Sequence, residues 1–212
     1  MNLVIFGDSF CQTVGGWPKQ LCHLLNATQF RCEGFPGGGW WNVRTLLNTY
    51  TQHNPVKEID VCILIHPSHR RLITNDSSLF LHQPQILPSY YDNKTLNEKD
   101  IALSLYYKYI DDPAFTNWAA EKWINECEMY FAPHTKVIHL FALPDLIPYA
   151  QQHLKNKVIP TNLFYIALRH HDESLRGDLI ITSKDRELGF QNHFNKENNA
   201  VFAAQLHEMI VG

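Results

Sequence analysis

The sequence lacks a strong charge of one sign and lacks any apolar run of membrane-spanning length. Its 212 residues include 18 Lys and Arg against 21 Asp and Glu, which gives a net charge of −3. So even a balance of charges does not indicate the basic surface stripe that a nucleic-acid-binding protein has. The longest apolar runs, such as 61–65, have the length of a β-strand and are far too short to cross a bilayer. We therefore expect neither a nucleic acid nor a membrane as a partner.

The sequence also lacks a cysteine framework. The cysteines are odd in number, scattered and without CxxC spacing: Cys11, Cys22, Cys32, Cys62 and Cys127. This usage is typical of reduced thiols in an intracellular protein. No basic region precedes a long apolar stretch at the N-terminus, so the sequence predicts no secretory signal and a cytoplasmic location.

Short apolar runs alternate with helical patterns along the chain. Strands are predicted at 2–6, 59–65 and 136–143, with a candidate fourth at 162–168. Helices are predicted at 17–25, around 43–47, at 117–131 and at 196–210. Asn195 is the expected cap of the last helix. The apolar face of that helix consists of Phe202, Leu206, Met209 and Ile210. The alternation predicts an α/β fold, a three-layer α/β/α sandwich around a mainly parallel sheet of about five strands.

One stretch, at about 75–130, interrupts this alternation. Its first half is polar and aromatic, and its second half has a helical pattern. We interpret it as an insertion or a long crossover inside a single domain that spans 1–212.

Three loops directly follow predicted strands, where the functional groups of an open parallel sheet gather. They are 7–9 (Gly-Asp-Ser), the glycine-rich segment 34–39 and the polar segment 66–70. Asp8 is expected to brace its turn. A serine nucleophile needs a histidine to accept its proton. The best-placed histidine is His193, just before the last helix, so the sequence predicts that Ser9 and His193 form a nucleophile–base pair.

These segments together resemble the SGNH hydrolases (the GDSL esterase family), and especially their compact phage-encoded members. "IFGDSF" matches the family block that supplies the nucleophile, here Ser9. "GFPGGGWWN" is similar to the second block, in which a glycine amide, here Gly37, helps to bind the oxyanion. "ILIHPSHRR" occupies the place of the third block, and "NHFNKENNAVFAAQL" resembles the fifth, with His193 as the base. The blocks keep the family's order over nearly the whole chain, and the expected fold is of the SGNH or flavodoxin-like type.

The third block departs from the family pattern. It normally ends in Gly-x-Asn-Asp, and its asparagine side chain completes the oxyanion hole. The aligned position here is Ser68, and His66 and Arg70 are the other donors nearby.

The fifth block lacks the family's acid. An aspartate normally lies three residues before the histidine, but this chain has Phe190 there. Asp185 or Glu187 are the candidate acids, and a Ser-His dyad with a backbone carbonyl orienting the ring is the alternative.

The resemblance implies a serine esterase that needs no cofactor and removes acyl or acetyl groups from a carbohydrate or small-molecule ester. The departures leave an alternative from another class: a weak or inactive scaffold that binds glycan, or a structural protein of a virion. A metal-dependent hydrolase is a third hypothesis, raised by 12 histidines. The closest histidine pairs, His66 with His69 and His170 with His171, lack a metal-ligand motif, so we expect no metal.

Overall fold

Five parallel strands form one sheet in the computed structural model of the protein, which describes residues 1–11, 16–71, 98–161, 163, 194 and 196–212. The strands are β1 (Asn2–Gly7), β2 (Gln29–Gly34), β3 (Val61–His66), β4 (Lys136–Phe141) and β5 (Lys157–Val158). Their order across the sheet is β2-β1-β3-β4-β5, and every neighbouring pair is parallel. The predicted mainly parallel sheet of about five strands is therefore confirmed.

Six α-helices lie in the described part of the chain. They are α1 (Trp17–Leu24), α2 (Trp40–His53), α3 (Glu98–Tyr109), α4 (Pro113–Cys127), α5 (Ile147–His153) and α6 (Lys196–Val211). The predicted helices agree with α1, α2, α4 and α6 apart from their exact ends. The expected cap of the last helix, Asn195, lies outside the described residues.

Helices cover both faces of the sheet. On one face, α1 and α6 pack against β1, β3 and β4 through a buried cluster that includes Ile5, Trp17, Leu21, Ile63, Leu140, Phe202, Leu206 and Ile210. On the other face, α2 and α4 pack through Val4, Phe6, Val43, Leu47, Cys62, Leu64, Trp123 and Cys127. The predicted three-layer sandwich is thus present, and the predicted apolar face of α6 is the face that it buries.

Strand β2 was not predicted from the sequence. This strand lies at the edge of the sheet, and it is only partly buried along its length. Its sequence, QFRCEG, has no continuous apolar run, because an edge strand of a parallel sheet lacks the burial that makes central strands apolar throughout. The two-residue β5 was missed as well. The candidate strand at 162–168 lies outside the described residues except for Leu163, which is buried.

Residues 98–127, inside the stretch that was interpreted as an insertion or long crossover, form α3 and α4 between the neighbouring strands β3 and β4. Helix α4 buries Trp123 and Cys127 against the sheet. The Asp112 carboxylate caps α4 by accepting a hydrogen bond from the Ala114 amide at 2.9 Å. This part of the stretch therefore acts as the crossover between two parallel strands.

Within the described ranges, none of the helices has the length and apolar character that a membrane span requires. All five cysteines are free thiols.

Candidate active site

The chain can turn sharply after β1 because two paired glycines leave room for it. A Cβ atom on Gly7 would lie 2.6 Å from the Ile65 Cβ, and one on Gly34 would lie 2.4 Å from the Asp8 carbonyl oxygen. Gly7 and Gly34 face each other in the β1–β2 register. Real Cβ atoms do not approach other atoms so closely, so only glycine permits the turn to pack down against β2 and β3.

Ser9 begins a short 3-10 turn that ends at Cys11, and it is half-buried. Asp8 braces this turn: its Oδ1 accepts a hydrogen bond from the Phe10 amide at 3.1 Å, and its carbonyl oxygen accepts one from the Cys11 amide at 3.0 Å. A carboxylate that bonds the amide two residues later is the arrangement of an Asx turn. The bracing role predicted for Asp8 is therefore confirmed.

The glycine-rich segment after β2 forms a tight turn beside this one. The Phe35 amide donates to the Gly7 carbonyl at 3.0 Å, and the Gly38 amide donates to the Phe35 carbonyl at 2.8 Å. With Pro36 second and Gly37 third at a φ of 74°, the turn is of type II, which requires a positive φ at its third residue. Gly37 is therefore fixed in a conformation that favours glycine, and it is buried.

Arg71, a residue that the sequence analysis missed, joins all three loops. Its Nη1 donates to Asp8 Oδ2 at 2.9 Å and to the Gly38 carbonyl at 2.7 Å. Its own backbone amide donates to the Ser68 carbonyl at 3.3 Å. Spacing gave no signal for Arg71, because a carboxylate needs a cationic partner only once folding has buried it.

Ser68, the predicted third oxyanion donor, lies in the loop that Arg71 closes. The residue is buried, and its hydroxyl has no hydrogen-bond partner among the described residues. Leaving a buried hydroxyl unpaired costs about 1–3 kcal/mol.

Arg70, a second candidate donor, is committed to another contact. Its Nη2 donates to Asp111 Oδ2 at 2.7 Å, and the Asp111 side chain is buried. Its carbonyl oxygen accepts a hydrogen bond from the Tyr107 hydroxyl at 3.2 Å. Arg70 therefore ties the third loop to α3 and to the segment that follows it.

His66, the third candidate donor, belongs to a buried histidine pair. Its Nε2 lies 2.9 Å from His139 Nδ1, and its ring stacks on Phe141 with 4.6 Å between centroids. His139 Nε2 lies 3.9 Å from Glu128 Oε1. Burial lowers the pKa of His66 well below its usual value, and it lowers the pKa of His139 to about 4. Both rings are thus neutral at pH 7, and one nitrogen of His66 is already engaged in the pair.

The predicted base, His193, and the candidate acids, Asp185 and Glu187, lie outside the described residues. The residue that follows His193 is described, however. The Phe194 ring is buried, and it contacts the Phe10 ring edge to face with 5.5 Å between centroids. Phe10 is the residue that follows Ser9.

A buried asparagine of α6 holds the backbone at Phe194. Asn199 Nδ2 donates to the Phe194 carbonyl at 3.1 Å, while Asn199 Oδ1 accepts a hydrogen bond from the Trp17 amide at 2.7 Å. The Phe194 ring also packs on Phe202, with 5.5 Å between centroids. The start of α1, the start of α6 and the chain at residue 194 are therefore fixed to one another.

Among the described residues, no group of three or more His, Cys, Asp or Glu side chains is arranged to hold a metal ion. His69 is buried, and burial lowers its pKa. The other histidine pair, His170 and His171, lies outside the described residues.

The arrangement brings a serine, a glycine turn and an unpaired hydroxyl to the carboxyl ends of β1, β2 and β3. Comparison of the chain with protein-family models and with curated proteins gives no match in either case. The likeness of four segments to the SGNH hydrolases therefore stays a prediction from the sequence.

Proposed function

We propose that this protein is a serine esterase of the SGNH type, in which Ser9 is the nucleophile and His193 is the base. The observation that carries the proposal is the contact between the Phe10 and Phe194 rings. These two residues directly follow Ser9 and His193, although they come from opposite ends of the chain. Their contact supports a meeting of the serine hydroxyl with the imidazole at the carboxyl end of β1.

The oxyanion hole of this proposal consists of the Ser9 and Gly37 amides and the Ser68 hydroxyl. The residue before Ser9 and the residue after Gly37 both accept hydrogen bonds from the same nitrogen, Arg71 Nη1. That shared donor supports a close approach of the two amides. Ser68 is the side-chain candidate that we favour, because its hydroxyl is buried and wholly without a partner among the described residues. Arg70 and His66 also keep one buried nitrogen each without a partner, Nε and Nδ1, but another nitrogen of each side chain is already bonded elsewhere.

The reaction divides ester hydrolysis into two transfers of the acyl group. Ser9 Oγ attacks the ester carbonyl while His193 takes its proton, and the oxyanion donors stabilise the tetrahedral intermediate. The intermediate collapses, the C–O bond to the alcohol breaks, and the alcohol leaves with the proton from His193. Water then attacks the acyl-Ser9 ester while His193 accepts its proton. The bond between the acyl carbon and Ser9 Oγ breaks, His193 returns the proton to Ser9 Oγ, and the acid leaves.

The substrate class of the proposal is an acyl or acetyl ester of a carbohydrate or small molecule, hydrolysed in the cytoplasm, or in the virion if the chain is phage-encoded. Asp185 or Glu187 would orient His193, unless a backbone carbonyl orients it in a dyad. The competing function is a glycan-binding or structural scaffold without catalysis.

A fluorophosphonate probe tests the proposal, because it reacts with an activated serine hydroxyl. We expect labelling of the wild-type protein at Ser9, as located by peptide mass spectrometry, and no labelling of Ser9→Ala. Ser104→Ala, which removes a half-buried serine of α3, is the matched control and should label like the wild type. Absence of labelling in folded wild-type protein, together with equal p-nitrophenyl acetate hydrolysis by wild type and Ser9→Ala, would favour the scaffold.

A further inference from the structure

The Arg71 side chain lies between the turn that carries Ser9 and the turn that carries Gly37. Its side chain is 6% exposed, and that of Asp8 is 0% exposed. A guanidinium Nη atom carries two hydrogens. Nη1 uses them on Asp8 Oδ2 at 2.9 Å and on the Gly38 carbonyl at 2.7 Å. One nitrogen therefore spans the two turns.

The permanent charge and the planar shape of the guanidinium group make this contact rigid. Arginine keeps its charge at any pH a protein tolerates, and its planar group fixes the directions of its N–H bonds. The charge also compensates the buried Asp8 carboxylate, which would be costly to leave without a partner. Loss of the guanidinium would therefore free both turns and also leave Asp8 as an uncompensated buried charge.

The glycine turn is held at its far end by α2, where the Gly39 amide donates to Asn42 Oδ1 at 3.0 Å, and Arg71 ties it to the turn after β1. Gly37, Gly38 and Gly39 carry no side chains that could anchor the turn. A Cβ on Gly39 would lie 3.4 Å from the Arg71 Cβ, so the backbone passes directly against the arginine. The Phe35 amide also links this turn to β1 by donating to the Gly7 carbonyl at 3.0 Å, but that bond lies before Gly37 in the chain.

We propose that Arg71 is a positioning residue, which sets the separation between the nucleophile turn and the oxyanion turn through its single nitrogen Nη1. The inference rests on the proposed esterase function for its effect on catalysis, but the mechanical link between the turns stands apart from that function. A misplacement of reacting groups by about 1 Å can cost about 100-fold in rate. In this proposal Arg71 acts through its bonds to Asp8 and Gly38 rather than on the reacting atoms.

The kinetic test compares Arg71→Met, Arg71→Lys and a matched control, Arg44→Met. Arg44 pairs with Glu126 through two hydrogen bonds, of 3.0 and 2.7 Å, between α2 and α4. With p-nitrophenyl acetate, Arg71→Met should lower kcat by about 10- to 100-fold with KM within about threefold of wild type. Arg71→Lys should have a kcat between those of Arg71→Met and the wild type, and Arg44→Met should have the kcat of the wild type. Equal kcat for Arg71→Met and wild type would overturn the proposal.

Amide hydrogen exchange separates failure of this inference from failure of the esterase function. Arg71→Met should raise exchange in the segments 7–11 and 35–39. Arg44→Met should leave both segments unchanged, since the Trp41 ring that the Arg44 guanidinium contacts at 5.1 Å lies outside them. If the wild type is inactive but Arg71→Met raises exchange in both segments, the link between the turns is supported and the esterase function is contradicted. If exchange in these segments is unchanged, the positioning role is contradicted. If Arg71→Met fails to fold, the same exchange measurement is made on Arg71→Lys, with Arg44→Lys as its control. Faster exchange of the two segments in Arg71→Lys alone supports the positioning role, and unchanged exchange contradicts it.

Discussion

The ring of Phe10 meets the ring of Phe194 edge to face, with 5.5 Å between centroids and 62° between planes. Aromatic pairs prefer this geometry, and such a pair adds about 0.5–1.5 kcal/mol beyond the area that it buries. The contact joins the residue after the proposed nucleophile to the residue after the proposed base. It therefore belongs to the core and to the candidate site at the same time.

Because of this aromatic contact, we expect Phe194→Leu to lower activity by more than its loss of stability would cause. The change keeps an apolar side chain but removes the ring contact, so we expect a loss of about 1–2 kcal/mol in unfolding free energy. We also expect kcat/KM for p-nitrophenyl acetate to fall about tenfold or more, since the chain next to His193 loses its support.

Leu47→Ala is the control for this variant, because Leu47 is fully buried on the opposite face of the sheet. It should cost about 2–5 kcal/mol in stability yet keep kcat/KM at a temperature where it is folded. Retained activity in Phe194→Leu would show that the ring contact does not support the site.

Ser68→Ala should lower activity and leave stability equal or higher. Its hydroxyl is buried and has no partner among the described residues, so its removal relieves an unpaired polar group. As a donor in the proposed oxyanion hole it would contribute to kcat, and loss of such a donor costs roughly 100- to 1000-fold. Urea unfolding and esterase kinetics on the same preparation measure both effects.

Thr135→Val is the matched control, since the buried Thr135 hydroxyl donates to the Ile59 carbonyl at 2.8 Å. This variant should show the opposite pattern, with lower stability and unchanged activity. A Ser68→Ala protein with wild-type kcat would remove Ser68 from the oxyanion hole.

Gly37 should tolerate asparagine better than alanine. Its φ of 74° lies in the left-handed region, where an ordinary side chain costs about 1–2 kcal/mol and asparagine less. Urea midpoints should rank wild type above Gly37→Asn and Gly37→Ala last. Gly39→Ala is the control, because its φ of −88° suits any residue and its Cβ would make an ordinary van der Waals contact, 3.4 Å from the Arg71 Cβ. Gly37→Ala as stable as the wild type would contradict the type II turn.

The buried histidine pair predicts that stability falls as the pH drops below about 6.5. An unfolded histidine has a pKa near 6.5, whereas burial lowers the pKa of folded His139 to about 4. Between these values the unfolded state binds more protons, so acid favours unfolding. From pH 7 to pH 5 this effect of His139 is roughly 2 kcal/mol, and His66, whose pKa is lowered too, adds to it.

The measurement is the urea unfolding free energy of wild type and of His66→Leu/His139→Leu at pH 7 and pH 5. The wild type should lose more stability than the double variant over this interval. An equal pH dependence in the two proteins would mean that the pair is not buried in its neutral form.

The sequence predicted what short apolar runs and helical spacing encode locally. Strands β1, β3 and β4 are buried on both faces, so their sequences are near-continuous apolar runs, whereas the edge strand β2 is only partly buried and has no such run. The bracing role of Asp8 was predictable because the bond of an Asx turn reaches an amide only two residues along the chain. Arg71 was not, because its role depends on a carboxylate 63 positions away that only the folded chain buries.

The histidine pair was hidden from the sequence for the same reason. His66 and His139 are 73 positions apart and become neighbours only through the register of β3 and β4. One nitrogen of each ring then pairs with the other ring in the core, which no spacing rule indicates.

The most direct test of the account is the rate at which a fluorophosphonate labels Ser9 in the wild-type protein and in His193→Gln. General-base assistance contributes about 100- to 10,000-fold, so the account predicts rapid labelling of the wild type at Ser9 and a rate at least 100-fold lower in the variant. Equal rates in the two proteins, or a folded wild type that is not labelled at Ser9, would contradict it.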